Sequence, residues 1–241
     1  MPCMRHGTAT RPRRPAFTLV EIVITIGVLV LVATIAMPSV VAIINAGSDN
    51  QAYNLLSAQL KGARALAIES QNYTALHVQM AYPATGYEDV CFATIMVLNA
   101  AGDKFIPADG FGPRRMPGNI AFGNLDGVLG GSPYGPISDL TDFTTFTVVF
   151  NPAGQAVKQV KGGNVELDTT HAIFTEGPTN DPKVELWRSS DATDELAATA
   201  LTLFDYREIK PRGPAERAAY LNANGQILAV NVFTGQLLPR E

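Results

Sequence analysis

The chain has 241 residues, 46% of them hydrophobic and 17% charged, with a formal net charge of −4. That size holds one ordinary domain of about 150 to 200 residues plus an appendage and excludes two large ones, and the composition excludes a disordered chain. Residues 1–16 carry Arg5, Arg11, Arg13 and Arg14 and no acid, which leaves 14 basic against 22 acidic residues in the remainder, a balance of −8 that argues against nucleic acid as a partner.

Behind the basic cluster, residues 22–44 form a run of 23 residues without a charge. As a helix this run measures ~35 Å, enough to cross a hydrocarbon core about 30 Å thick. Basic residues before it and Asp49 after it orient the chain with its N-terminus cytoplasmic and its bulk outside, a single-pass membrane protein. A secretory signal cut after Ala36, with small residues at Thr34 and Ala36, is the competing reading. Against it, a signal core spans about 7 to 15 apolar residues, whereas this run is longer and has Glu21 near its start. An acid so placed carries a desolvation cost, reaching ~2.5–3.5 kcal/mol at the bilayer centre, and calls for a partner.

The stretch Arg13-Arg14-Pro15-Ala16-Phe17-Thr18-Leu19-Val20-Glu21-Ile22 resembles the class III leader junction of type IV pilins and pseudopilins. The resemblance implies cleavage by a prepilin peptidase between Ala16 and Phe17, with methylation of the Phe17 amine. Ala16 stands where the family usually has Gly and is small enough for the same pocket. Glu21 takes the family's acidic position and Pro38 that of its helix-bending proline. In low dielectric, the Glu21 carboxylate of one subunit would pair with the Phe17 amine of a neighbour, so that assembly satisfies charges a lone subunit leaves unpaired. Pro38 removes one backbone hydrogen bond and crowds the preceding turn, so the helix either bends or ends there. Cys3 lies in the implied leader, which leaves Cys91, in an apolar run, as a small buried hydrophobe.

After Pro38, Tyr53, Leu56, Leu60, Ala63 and Ala67 recur at three- and four-residue steps and predict one helix over residues 18–70, apolar all round at first and amphipathic later. Gly62 either weakens it by ~1 kcal/mol or admits a strand at close range. The passage from Leu60 through Asn72 into residues 73–78 resembles the helix-to-strand passage of H-type minor pseudopilins of type II secretion and related minor pilins. Short apolar runs then predict strands at 73–80, 90–98, 143–150, 155–160, 164–167, 172–174, 184–188, 201–206, 218–222 and 226–232. Residues 146–155 read as strand, Pro-Gly turn and strand, and residues 220–228, with Asn224-Gly225, as a second hairpin. Both resemble hairpins of the H-type head. The Gly/Pro-rich residues 107–142, 176–183 and 210–214 read as surface excursions.

No catalytic pattern emerges. His77 and His171 are far apart and have no metal-ligand spacing, so each reads as a strand-surface or core histidine. Gly130-Gly131-Ser132-Pro133-Tyr134-Gly135 departs from a nucleophile elbow in spacing, and Pro133 opposes its strand-to-helix turn. The acids Glu88, Asp89, Asp103, Asp109 and Asp126 fall at turns without the alternation of a calcium loop. The expectation is therefore a chain with no enzymatic activity, metal or cofactor.

The resemblance implies an α+β, pilin-like fold: leader 1–16, membrane and assembly helix 17–44, amphipathic continuation 45–72 and an antiparallel β-rich periplasmic head 73–241. It implies an inner-membrane minor pseudopilin of the H type that assembles into a periplasmic pseudopilus. Its partners would be other pilins or pseudopilins through their N-terminal helices, the prepilin peptidase, the inner-membrane assembly platform and the membrane. The alternatives are a minor type IV pilin serving pilus assembly or DNA uptake, and a membrane-tethered binding or enzymatic head.

Overall fold

The computed structural model describes residues 18–80, 89–125, 136–160, 163, 165–168, 193–194 and 197–239, and for residues 38–46, 193–194 and 239 it describes the backbone alone. The chain divides into two compact units, Met1–Ile44 and Asn45–Glu241. The second is called the body below. An N-terminal apolar helix is followed by antiparallel sheets, an α+β architecture.

Helix α1 runs Leu19–Ser70. Pro38 lies inside it and does not end it. The helix stops at Ser70 because Gln71 turns left-handed, with φ 51°, and the Asn72 amide then ties the turn to the Leu98 carbonyl at 2.8 Å. Within the body, Ala52, Leu56, Leu60, Ala63 and Ala67 of α1 are fully buried; of the predicted apolar face, Tyr53 is only half-buried at its edge and Ala52 takes its place in the core.

That face meets β1 (Thr74–Met80) and β2 (Cys91–Leu98). A Cβ at Gly62 would stand 3.2 Å from Ile95 Cδ1 of β2, so the glycine admits the strand at close range. The strands β3 (Phe105–Pro107), β4 (Arg114–Arg115) and β5 (Ile120–Asn124) follow. Then come α2 (Leu140–Phe143), β6 (Phe146–Phe150), β7 (Ala156–Val157), β8 (Val165–Glu166) and β9 (Thr193–Asp194). The chain continues through β10 (Ala200–Asp205), α3 (Tyr206–Ile209), α4 (Pro214–Asn224), β11 (Gln226–Val230) and β12 (Leu237–Pro239).

One antiparallel sheet orders as β3-β2-β1-β6-β7, with β4 also on β2, and a second as β12-β11-β10-β5. In the first, Leu76, Val78, Ile95 and Val148 belong to the core cluster that takes in α1, whereas Ala75, Met96 and Val149 point the other way into a smaller cluster with Phe105, Val165 and Leu167. The sheets are joined where the Ala156 amide donates to the Val232 carbonyl at 2.8 Å. The Tyr53 hydroxyl of α1 donates to the Leu237 carbonyl at 2.9 Å and so holds the C-terminal edge strand.

Three predicted features are corrected. Residues 218–222 are not a strand, and 220–228 not a hairpin: they belong to α4 and the start of β11. Pro214 occupies a first-turn position, and the Gly213 amide donates to the Glu216 carboxylate at 3.2 Å. Ala218 and Leu221 face the core, three residues apart. The Asn224-Gly225 pair is the helix end, where the Gly225 amide donates to the Leu221 carbonyl at 2.7 Å. The 107–142 excursion contains β4, β5 and most of α2. The edge strands β3 and β12 were not expected. By contrast, the predicted strand-turn-strand is present over residues 146–157: β6 pairs with β7, which covers only two residues of the predicted strand 155–160, and Gly154 supplies the left-handed turn position at φ 75°. The predicted strands 172–174 and 184–188, the 176–183 excursion, the 130–135 loop, and His171 lie outside the described residues.

Candidate functional site: the apolar helix segment

The implied cleavage pair, Ala16 and Phe17, lies outside the described residues, which begin at Thr18. Thr18 is the cap of α1. Its hydroxyl accepts from the Glu21 amide at 3.2 Å, and its carbonyl accepts from the Ile22 amide at 3.2 Å. Thr18-Leu19-Val20-Glu21 has the Thr-x-x-Glu spacing of a capping box, a signal that the sequence itself carries. Glu21 is exposed in the first helical turn, where the helix dipole also favours an acid. Capping alone therefore accounts for part of the residue choice at this position.

The segment Leu19–Met37 is the one stretch among the described residues long and apolar enough to cross a membrane. Its 19 residues measure ~28 Å as helix, and every side chain in it is exposed. A signal sequence near an N-terminus can meet the same criteria of length and apolarity. Both threonines are satisfied within the helix. The Thr25 hydroxyl donates to the carbonyl of Ile22 at 3.0 Å and that of Thr34 to the carbonyl of Leu31 at 2.8 Å. No hydroxyl in the segment needs water, a condition that lipid imposes on polar groups. Glu21 is its single charged residue. Glu21 and Pro38 are 17 positions apart, ~25 Å along a helix, so the helix does not bring them together.

No family model, curated protein or solved structure matches the chain.

Where the chain enters the body, Asp49 sits beside Asp205, and burial followed by that neighbouring charge raises its pKa. The Tyr220 pKa is raised by burial, with Asp205, Glu208 and Asp49 adding to the rise. Asp205 and Glu208 have structural work. The Asp205 carboxylate caps α3 through the Arg207 amide at 2.9 Å. Glu208 pairs with Arg212 at 3.3 Å, and the Arg212 guanidinium lies 4.8 Å from the Tyr220 ring centroid. Among the described residues no group of three or more His, Cys, Asp or Glu is arranged to hold a metal ion. Cys91 is a free, buried thiol whose pKa burial pushes up to about 12, a packing group with little thiolate at neutral pH. His77 is a core histidine on β1.

Proposed function

We propose that this chain is a minor, H-type pseudopilin: cut between Ala16 and Phe17, held in the inner membrane by the apolar half of α1, and built into a periplasmic pseudopilus by packing of such helices. One observation carries the reading. A single helix passes from a wholly exposed apolar stretch carrying one acid into a stretch whose apolar face forms the core of an antiparallel β body. A plain membrane anchor needs only the first of these, and a soluble domain only the second. The leader-like junction, the exposed acid and the proline at the expected interval support the same reading, in which Glu21 finds its cation on an adjacent subunit.

Glu21→Ala tests the pairing role. The variant should insert into the membrane as the unaltered chain does, while its recovery in assembled filaments falls at least tenfold. Equal recruitment of the variant into filaments would remove charge pairing from the account.

A further inference from the structure

The outer edge of β2 is paired by two short strands in succession. Pro107 of β3 stands opposite Met96 and Arg114 of β4 opposite Ala93, so residues 108–113 face only Thr94 and Ile95. The excess over the partner strand leaves surplus chain outside the ladder. The Ala108 amide still donates to the Ile95 carbonyl at 3.0 Å, and beyond it Asp109, Gly110, Phe111 and Gly112 are exposed.

A turn accounts for the residue types here. The Phe111 amide donates to the Ala108 carbonyl at 3.1 Å and closes a four-residue turn with Gly110 in third place at φ 80°, where glycine is favoured. That bond leaves the Gly110 amide free. Among the described residues no hydrogen bond or ion pair reaches either this amide or the Asp109 carboxylate, and nothing lies within 4 Å of the place a Gly110 Cβ would take. A main-chain nitrogen can attack Cγ of the aspartate that precedes it, and a glycine, with no side chain, hinders the approach least.

We propose that Asp109-Gly110 is a site of spontaneous isoaspartate formation, whereas Asn224-Gly225, the same kind of pair with the faster intrinsic chemistry, is held inert by the fold. At Asp109 the Gly110 nitrogen bonds to Cγ of the protonated carboxyl, whose hydroxyl leaves as water with the amide proton, closing a five-membered succinimide. Water then adds to one of the two ring carbonyls. Breaking the bond from nitrogen to Cγ restores aspartate. Breaking the bond from nitrogen to the main-chain carbonyl carbon instead leaves the backbone running through Cγ, one methylene longer. One water is lost and one regained, so the mass is unchanged and no other reactant takes part. The longer backbone falls in the surplus loop between β3 and β4.

At Asn224 the leaving group is ammonia, which a carboxamide gives up at neutral pH more readily than an ionised carboxylate gives up water. Both reacting groups there are engaged: the Gly225 amide donates to the Leu221 carbonyl at 2.7 Å, and Asn224 Nδ2 donates to the Tyr220 carbonyl at 3.0 Å. Reaction at this pair waits for the last turn of α4 to open. A third pair, Asp126-Gly127, lies outside the described residues. The chemistry at Asp109 belongs to the body and is independent of filament assembly.

The test ages the full chain in detergent micelles at neutral pH, folded in one sample and in concentrated urea in the other. Trypsin places the three pairs on residues 105–114, 116–158 and 218–240, and Asp109 is the single Asp or Asn of its peptide. Electron-transfer fragmentation identifies isoaspartate, and a mass gain marks deamidation. Isoaspartate should form at 109 in the folded chain within about threefold of its rate in urea, while folding should slow deamidation of Asn224 about tenfold or more. No isoaspartate at 109 in the folded chain, or a slowing there equal to that at Asn224, overturns the proposal, as does equal deamidation of Asn224 in the two samples.

Discussion

Gly123 of β5 lies directly under the Phe143 ring, whose atoms would overlap a Cβ at that position. The ring cannot easily yield, because it stacks on Phe204 with centroids 5.9 Å apart and planes 29° from parallel. Gly123→Ala should therefore lower stability by about 1–3 kcal/mol as an overpacked core does, read as a shift in denaturant midpoint. An unchanged midpoint would show that the ring moves freely. Single-residue readings succeeded where one neighbour decides. Gly62 was legible as a close-approach position because helix interiors disfavour glycine without such a reason, and Cys91 and His77 were legible because apolar or alternating neighbours surrounded them. Gly123 was not, since it lies inside the Gly/Pro-rich stretch 107–142 read as surface excursion, and its partner Phe143 is 20 positions on.

At the scale of elements, α1 was legible because its period persists through several turns, long enough for the alternation of buried and exposed positions to outweigh any one residue. Leu60 stands in that stripe with no exposure. Leu60→Ala should cost about 2–5 kcal/mol, whereas Asn54→Ala on the exposed face of the same helix should stay within ~0.5 kcal/mol. Similar losses at both sites would mean that the stripe does not carry the packing. The short α4 misled the reading because its buried face is only Ala218 and Leu221, and Asn224-Gly225 closes a helix with the residues that also close a hairpin. The strands β3, β4 and β12, of two or three residues each, have too few positions to show a period. They exist because β2 and β11 offer edges to pair with.

For the whole molecule, composition and the apolar run made the α+β class legible. The order of strands was not, because pairs such as β5 with β10 join segments about 80 residues apart. The Thr-x-x-Glu spacing of Thr18 and Glu21 made the start of α1 legible as a capped helix end. The body keeps the buried face of α1 from Ala52 onward as its own. Deleting residues 1–44 should thus yield a soluble, cooperatively unfolding body, and aggregation of that fragment would show that the apolar stretch shields it.

The central claim is that the apolar stretch stays on the chain as an assembly helix and is not discarded as a signal. Sequencing the first residues of the protein recovered from its native membrane addresses it most directly. The account predicts Phe17, with a methylated amine, as the first residue. A polypeptide starting at Met37 would contradict it.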